Sequence, residues 1–331
     1  MGLTTLPITP HRGMNQITAC CAECGTEGGA SLKICKSCMR AKYCNAVCQM
    51  NHWPKHKKEC KLRAAELHDD ALFKDPPAKE DCSICFLPMP TSLISCVSLP
   101  NATRFSVPIY DFSNEHEELQ GRATEHYFVC CGKGVCGGCV HSCIQSGNDD
   151  KCPFCNSEGG KTDEEQVEQI MKRVDANDAA SIYLLARYYY YGGLNGVQQD
   201  HAKAMELFTK SAELGSSKAH SNLAGIYHQR GDLKKAKFHC EAVAMAGHED
   251  ARYNLGSLEY NSGNMERAIK HWTISASAGE YDAMHKLRIG FEKGHVSSES
   301  IDSTLAAYNN SCVEMRSEAR DACIRAITER I

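Results

Sequence analysis

The sequence predicts a mainly α-helical protein in which two small zinc-stabilised modules are followed by an α-solenoid of helix hairpins. The first observation behind this prediction is the distribution of cysteine, because 18 of the 21 cysteines lie at or before Cys155. The second is a helical pattern that begins at Thr162 and then recurs every 32 residues. A chain of 331 residues has room for two or three such domains.

Charge and hydropathy narrow the class of protein. The formal net charge is -4, so the overall composition does not favour nucleic acid as a partner. No apolar run is long enough to span a membrane, and the N-terminus lacks the apolar stretch of a signal peptide. We therefore expect reduced thiols in the cytoplasm or nucleus, where zinc sites are commoner than disulfides.

The first group of ligand residues lies between Cys21 and Cys60. Its seven cysteines and one histidine suffice for two tetrahedral zinc sites, and their paired spacing disfavours free thiols or a disulfide framework. In Cys44/Cys48 and in His56/Cys60, three intervening residues predict two ligands one turn apart on one helix face. The eight candidate ligands are Cys21, Cys24, Cys35, Cys38, Cys44, Cys48, His56 and Cys60.

The residues around these ligands follow a further pattern, in Tyr43-Cys44, Cys48-Gln49 and Trp53. Together with the paired cysteines, this pattern resembles the MYND zinc finger. The resemblance implies a protein-binding role, often for short proline-containing peptides, with a groove near Gln49 and Trp53. Packing of Trp53 over the zinc knuckle is an equally open interpretation. The implied ligand sets are Cys21, Cys24, Cys44 and Cys48 for one zinc, and Cys35, Cys38, His56 and Cys60 for the other.

A second group of eight cysteines spans Cys82 to Cys155. It consists of three Cys-x2-Cys pairs and one doublet, again enough for two tetrahedral sites. A helix is predicted to start near Cys136, and short strands are predicted to flank the doublet because Tyr127, Phe128 and Val129 favour β structure. The eight candidate ligands are Cys82, Cys85, Cys130, Cys131, Cys136, Cys139, Cys152 and Cys155.

Ile84, before the second cysteine, and the closing Cys152-Pro153-Phe154-Cys155 resemble an all-cysteine RING finger. The resemblance implies a cross-brace that binds a ubiquitin-conjugating E2 enzyme through Ile84 and Pro153. Adjacent side chains tend to point apart, so His141 or Cys143 is an alternative to one member of the doublet. The implied ligand sets are Cys82, Cys85, Cys136 and Cys139 for one zinc, and Cys130, Cys131, Cys152 and Cys155 for the other.

The second half of the chain contains an internal repeat of 32 residues. Asp or Asn caps a helix, Ala lets paired helices approach closely, and Gly ends a helix in a left-handed conformation. The unit is therefore a helix hairpin whose stacking buries a continuous core. The pattern resembles Sel1-like repeats, relatives of the tetratricopeptide type, with three repeats over about 181–280 and a decaying fourth. The repeated positions are Asp200, Asp232 and Asn264; Ala204, Ala236 and Ala268; and Gly215, Gly247 and Gly279.

Some aromatic and histidine side chains in the repeats have open roles. Tyr188 to Tyr191 form a run that a helix spreads around its circumference, so at least one is predicted to lie in the core and others to line a peptide-binding face. The histidines show no ligand spacing and are predicted to be ordinary helix residues. They include His220, His228, His239 and His271.

Composition shifts predict the domain boundaries. The Asp75-Pro76-Pro77 stretch interrupts helical structure and marks a linker. Cys96 lies in a long insert and has no assigned role. The predicted segments are a disordered N-terminus at 1–19, a MYND finger at 20–62, a helix end and linker at 63–79, a RING-like finger with an insert loop at 80–158, Sel1-like repeats at 163–296 and C-terminal capping helices at 297–331.

The sequence favours protein binding over side-chain catalysis. It contains no Walker loop, no GxGxxG after a strand and no GxSxG elbow, and its complete ligand sets are typical of four structural zinc ions. Two functions follow: an adaptor that is a RING-type E3 ubiquitin ligase with substrate on the repeats, or a non-enzymatic scaffold. Asn156, where many active RING fingers carry a basic residue, favours the scaffold. The chain as a whole resembles RING and Sel1 multidomain proteins of diatoms and related algae.

Overall fold

The structure is a computed structural model that describes residues 20–27, 32–89, 125–147, 151–157, 162–192 and 197–328. The predictions for residues 1–19, for Cys96 and for most of the insert loop lie outside these residues. Twelve helices within the described ranges make the fold mainly α-helical, as predicted. The chain divides into two compact units, Met1–Leu72 and Phe73–Ile331.

The first unit combines a small sheet with one long helix. Strands β1 (Lys33–Ile34) and β2 (Lys42–Tyr43) pair antiparallel, with Lys33 opposite Tyr43. Helix α1 spans Ala46–Leu72, so its end lies within the predicted helix end and linker at 63–79.

The start of α1 corrects one prediction. The Oδ1 of Asn45 accepts a hydrogen bond from the backbone N–H of Cys48 at 3.0 Å, so Asn45 caps the first turn. Cys44 therefore precedes the helix, and the prediction that Cys44 and Cys48 share one helix face is wrong. His56 and Cys60 do lie together in α1, and both side chains are buried.

The second unit begins with a segment around Cys82 and a β-hairpin. Strands β3 (Glu125–Phe128) and β4 (Lys133–Cys136) pair antiparallel, as the sequence predicted for the residues around the doublet. Helix α2 (Gly137–Gln145) follows β4 directly and agrees with the predicted helix near Cys136.

Helix hairpins make up the rest of the second unit. Their stacking agrees with the predicted solenoid, and α3 extends it before the first repeat. None of the helices in the described ranges combines the length and apolar character that a membrane span requires. The helices are α3 (Asp163–Asp175), α4 (Ala179–Tyr191), α5 (His201–Glu213), α6 (Ser217–Gln229), α7 (Leu233–Met245), α8 (Glu249–Asn261), α9 (Met265–Ser277), α10 (Tyr281–Glu292), α11 (Ser298–Glu314) and α12 (Glu318–Thr328).

Asp200, Asp232 and Asn264 were each predicted to cap a helix, and the first two do so. Asp200 accepts hydrogen bonds from the N–H groups of Ala202 and Lys203, and Asp232 accepts one from Lys235. Asn264 makes no such cap; its Nδ2 instead donates to the buried Glu259 at 2.9 Å. The repeated glycines behave as predicted, with positive φ after their helices.

The repeated alanines lie in the core between paired helices. Ala204 and Ala268 are fully buried, next to Phe208 and Trp272 respectively. A Cβ on Gly256 of α8 would lie 2.5 Å from the Trp272 ring, so α8 and α9 approach closely only because this residue is glycine.

The tyrosine run lies at the edge of the core. All four side chains are half-buried, and three of them contact core clusters, so the predicted core role holds only at the core's edge. Tyr189 and Tyr190 pack on the cluster around Phe208, and Tyr188 packs near Ile170. The side chains at Tyr188–Tyr191 spread around α4, and each of them stays partly exposed.

The cysteine-rich part of the second unit, here called the second finger, comprises the described residues 80–89, 125–147 and 151–157. The last helix, α12, packs against it. A Cβ on Gly138 of α2 would lie 2.7 Å from the backbone N of Arg320 in α12 and 2.8 Å from its Cα. At the other end, Tyr127 donates a hydrogen bond to Asp178 at 2.8 Å and Arg173 donates one to the carbonyl of Val129 at 2.8 Å. The second finger therefore contacts both ends of the solenoid.

Candidate metal centres

Two groups of ligand side chains converge in the first unit. Within each group the candidate ligand atoms lie within 4.8 Å of one another. Cys24 and Cys44 sulfurs are 3.5 Å apart, and the Cys38 sulfur is 3.3 Å from His56 Nε2. The groups are Cys21, Cys24, Cys44 and Cys48, and Cys35, Cys38, His56 and Cys60.

Two further groups converge in the second unit, with the same limit of 4.8 Å. The sulfurs of Cys85 and Cys136 are 3.8 Å apart, and those of Cys131 and Cys152 are 3.6 Å apart. The groups are Cys82, Cys85, Cys136 and Cys139, and Cys130, Cys131, Cys152 and Cys155. They alternate along the chain, which is the cross-brace order that the resemblance implied.

The doublet lies in the turn between β3 and β4. Adjacent side chains point apart in a strand, but in this turn Cys130 and Cys131 both join the group of Cys152. His141 and Cys143, the alternatives that the sequence left open, lie outside the four groups.

Four Cys-x2-Cys pairs share one backbone conformation. After each pair, the next residue donates its N–H to the carbonyl of the first cysteine at 2.9 to 3.0 Å and has a positive φ. The four residues are Gly25, Met39, Phe86 and Asn156, with φ of 74°, 54°, 55° and 55°.

The shared turn gives Asn156 a conformational role. Asn tolerates the left-handed region better than most residues, so it suits this position for the same reason as Gly25. Met39 and Phe86 adopt the same conformation with side chains that are 51% and 75% exposed. The bulky side chains at these two turns carry a backbone cost that Gly25 avoids.

The thiols in the first unit do not ionise together. The backbone N–H of Cys24 lowers the pKa of Cys21 to about 6, whereas burial and Cys21 raise the pKa of Cys48 to about 12. Burial opposes ionisation of Cys35, but the Cys38 N–H and His56 bring its pKa down to about 6. Burial and the neighbouring Cys35 raise the pKa of Cys60 to about 12.

The same contrast appears in the second unit. Ser157 lowers the pKa of Cys155 to about 6, whereas burial raises the pKa of Cys130 to about 12. Burial opposes ionisation of Cys82, yet the N–H of Cys136 helps to lower its pKa to about 7. Burial and then the charge of Cys136 raise the pKa of Cys139. A divalent cation would relieve this mutual repulsion and allow all four sulfurs to bind as thiolates.

The donor sets fit zinc. Sulfur and imidazole nitrogen are the ligands of structural zinc sites, and four ligands complete a tetrahedron without an open position for water. The MYND finger and the clustered cysteines and histidine thus indicate zinc binding.

One charged side chain beside the third group was not predicted. Arg320 is 6% exposed, and its guanidinium donates to the sulfurs of Cys136 at 3.5 Å and Cys85 at 3.8 Å. It also donates to the carbonyls of Met315 at 2.8 Å and Leu87 at 3.3 Å. Because it is 184 residues from Cys136 in sequence, no local pattern pointed to it.

The predicted partner-binding residues differ in exposure. Gln49 and Trp53 lie on α1, and Trp53 is 40% exposed with its ring edge-on to His56 at 6.4 Å. Ile84 is half-buried in the apolar cluster of the second finger, whereas Pro153 is exposed.

Two histidines of the repeats form a pair that their spacing did not indicate. The Nδ1 atoms of His220 in α6 and His239 in α7 are 2.9 Å apart, and Tyr227 stacks on His239. Burial, then His220 and Lys235, lower the pKa of His239 to about 4, and burial also lowers that of His220. The pair is neutral near pH 7, so the Nδ1–H of one ring donates a hydrogen bond to the Nδ1 of the other.

Comparison with known protein families identifies two modules. The MYND finger family matches residues 21–60, and the Sel1 repeat family matches residues 179–216 and 249–280. The chain therefore contains a MYND finger and Sel1 repeats, both of which are protein-interaction modules. No curated protein matches the chain.

Several solved structures are similar to the chain over part of its length. A protective antigen of uropathogenic Escherichia coli strains that displays an SLR fold is 18% identical over 57% of this chain and 43% of its own, with a TM-score of 0.35. A Sel1 repeat protein from Oxalobacter formigenes is 23% identical over 37% of this chain and 96% of its own, with a TM-score of 0.33. A Pseudomonas aeruginosa protein is 17% identical over 46% and 76%, with a TM-score of 0.28. This chain spans less than half of the first of these proteins.

Proposed function

We propose that this protein is a zinc-stabilised adaptor that brings partner proteins together through its MYND finger and its Sel1 repeats. The observation that carries the proposal is the presence of both interaction modules in one chain. Complete four-ligand groups support a structural role for zinc, because a catalytic zinc keeps one position open.

The MYND finger is proposed to bind a proline-containing peptide at Gln49 and Trp53. Both residues are exposed on α1, and an exposed indole offers an apolar face on which a proline ring can stack. Met50 is 65% exposed on the same helix and offers a matched control.

The test is binding of a fluorescent proline-rich peptide library to the zinc-loaded chain. Trp53→Ala should lower the affinity at least about tenfold, since an aromatic hot-spot residue contributes about 2 kcal/mol or more to binding. Met50→Ala should leave the affinity unchanged. If the two variants bind the peptides equally well, the proposed groove at Trp53 is wrong. It is also wrong if the unmodified chain binds no peptide.

Four zinc ions are proposed, two for each finger, held in a reducing compartment such as the cytoplasm or nucleus. Elemental analysis of the purified chain should give four zinc ions per molecule. Cys85→Ser should remove one ion, whereas Cys143→Ser should remove none because Cys143 lies outside the groups. Loss of an ion from Cys143→Ser would change the proposed ligand set.

A second candidate function is that of a RING-type E3 ubiquitin ligase. It is favoured by the alternating order of the two cysteine groups in the second finger and by the exposed Pro153. Docking of an E2 at Ile84 and Pro153 would then restrain the ubiquitin thioester, with substrate bound on the repeats.

Discharge of ubiquitin from a panel of charged E2 enzymes tests this candidate. Pro153→Ala is the informative variant because its side chain is exposed, so the fold should tolerate the change. A ligase should accelerate discharge with at least one E2 and lose this effect in Pro153→Ala but not in Trp53→Ala. If fully zinc-loaded protein accelerates discharge from none of the E2 enzymes, the ligase candidate is rejected and the adaptor has no transfer activity.

A further inference from the structure

A short segment that follows α1 lies on the surface of the solenoid. The ring of Phe73 is 4.7 Å from the ring of His271 in α9. Six residues later, the Nζ of Lys79 is 3.0 Å from Glu249 Oε1 in α8. The segment Phe73–Lys79, here called the linker peptide, therefore crosses α9 and α8 of its own chain. The sequence predicted only a linker at this position.

The linker peptide alternates with a period of three. Phe73, Pro76 and Lys79 are half-buried, whereas the residues between them are exposed. A polyproline II helix has three residues per turn and no internal hydrogen bonds, so it presents every third side chain to one surface. Two consecutive prolines favour this conformation, because each restricts the residue before it to extended backbone. Phe73 and Lys74 form the turn that follows α1, and residues 75–80 continue without helix or strand. The segment thus presents three side chains at three-residue intervals to the solenoid, as a bound extended peptide does.

The aromatic end of the linker peptide meets a built subsite. His271 is fully buried, and burial, then the charge of Arg252, lower its pKa to about 4, so it is a neutral ring near pH 7. Arg267 lies 5.1 Å and Lys270 lies 5.8 Å from the Phe73 ring centroid. Cations over the ring face and an imidazole at its side select an aromatic side chain.

The proline in the middle of the linker peptide lies against a glycine. A Cβ on Gly247, whose φ is 96°, would lie 3.6 Å from Pro76 Cβ and 3.4 Å from the carbonyl oxygen of Pro77. The Pro76-Pro77 pair therefore lies directly against the turn at Gly247, at ordinary van der Waals distance.

The basic end of the linker peptide enters an acidic subsite. Glu249 is fully buried and pairs with Lys79, whose side chain is 17% exposed and also contacts Met315 Sδ at 3.4 Å. Burial raises the pKa of Asp250, with Glu280 and Glu249 adding to the effect and Lys79 opposing it. The buried Glu249 pairs directly with the ammonium group and Asp250 also feels its charge, so this subsite favours a cation over a neutral side chain.

We propose that this surface is a peptide-binding groove for partners with an aromatic residue, a proline and a lysine at successive three-residue intervals, and that the linker peptide occupies it as an intramolecular competitor. The inference rests on the proposed adaptor function and names the partner class of the repeats. It does not depend on zinc or on the MYND groove.

Occupation by the linker peptide sets the size of the expected effect. A short tether holds its ligand at an effective concentration of about 1 mM. For a free peptide with a Kd of about 10 μM, this competition weakens apparent binding about 100-fold. Opening the groove should restore most of that factor.

The probe is a fluorescein-labelled synthetic peptide with the sequence of residues 71–81, titrated into the full zinc-loaded chain and followed by anisotropy. The opened variant Phe73→Ala/Lys79→Ala should bind it about 10- to 100-fold more tightly than the unmodified chain. Lys74→Ala, on the exposed side of the segment, should bind as weakly as the unmodified chain. A peptide with alanine in place of its phenylalanine and second lysine should bind neither protein.

A variant on the groove side completes the test. Glu249→Gln in the opened background should lose about tenfold in affinity, because the buried carboxylate then no longer pairs with the lysine. If the double variant fails to fold or to retain zinc, Lys79→Gln alone should still gain several-fold over the unmodified chain. Equal binding by opened and unmodified protein, or no binding by either, overturns the proposal. Trp53→Ala should not alter this titration. A failure of the groove on the repeats can therefore be distinguished from a failure of the MYND groove.

Discussion

Arg320→Ala should destabilise the second unit and loosen one zinc centre in particular. The guanidinium is nearly inaccessible to solvent and donates to two sulfurs and two carbonyl oxygens. Truncation leaves these acceptors without their donor. A buried acceptor that loses its partner costs about 1–3 kcal/mol, and breaking a buried charged contact costs about 3–5 kcal/mol in all. We expect a loss of about 3–5 kcal/mol, since water will reach part of the space that is left.

Two measurements follow from this estimate. In a unit of this size, about 1 kcal/mol corresponds to about 2–4 °C in Tm, so the melting transition should fall by at least about 6 °C. Groups around a metal site typically change metal affinity about 10- to 100-fold. Transfer of zinc to a colorimetric chelator should therefore become at least about tenfold faster for one ion, while the release of the others is unchanged.

The controls separate charge, geometry and position. Arg320→Lys keeps a charge but loses the planar fork that reaches several acceptors, so it should lie between the alanine variant and the unmodified chain. Arg288→Ala removes a guanidinium that is 67% exposed and should change Tm by less than about 2 °C. If Arg320→Ala melts and releases zinc like Arg288→Ala, the contacts of Arg320 with the sulfurs have no energetic role.

Three further predictions concern packing, backbone strain and protonation. Gly138→Ala should destabilise by about 1–3 kcal/mol although alanine favours helix, because the new Cβ meets the backbone of Arg320; a rise in Tm would contradict the close contact. Phe86→Gly should raise stability by about 0.5–1 kcal/mol in thermal unfolding, because glycine relieves a positive φ at an exposed side chain; a lower Tm would mean that the ring packs. The folded pKa of His239, about 4, lies below its usual value of 6.5, so the unfolded chain takes up the proton first and stability falls as pH drops from about 6.5 towards 4. When the pH falls from 7.5 to 5, the free energy of unfolding of His239→Phe should decrease by up to about 2 kcal/mol less than that of the unmodified chain. Loss of zinc affects both proteins alike. Equal decreases would therefore reject the role of the His220–His239 pair.

Local sequence patterns predicted the parts of the fold whose causes are local. The 32-residue period predicted the helix hairpins, because caps, small residues and glycines act within one unit. The MYND finger and the Sel1 repeats are confirmed, and the same side chains that spacing and resemblance grouped as ligands stand together in the structure. That these groups hold four zinc ions stays a prediction.

The predictions that failed involve a competing interaction. Asn264 leaves its helix uncapped because its Nδ2 donates to the buried Glu259, which orients the side chain towards Glu259. Cys44 is not helical because Asn45 caps the helix, whose first residue is then Ala46. Arg320 and the linker peptide could not be found from sequence, since their contacts span 170 residues or more and repeat no period.

The contacts of the second finger bear on the choice between ligase and scaffold. Arg320 reaches the carbonyl of Leu87 and the sulfur of Cys85, so α12 lies beside the loop that carries Ile84. Ile84 itself faces the apolar cluster of the finger, which leaves Pro153 as the exposed member of the proposed docking pair. An E2 that needs Ile84 would have to bind next to α12, whereas a partner of the repeats meets no such obstacle. With the hairpin tied to Asp178 at one end and α2 tied to Arg320 at the other, the finger is part of the solenoid's own packing, and this arrangement favours the adaptor.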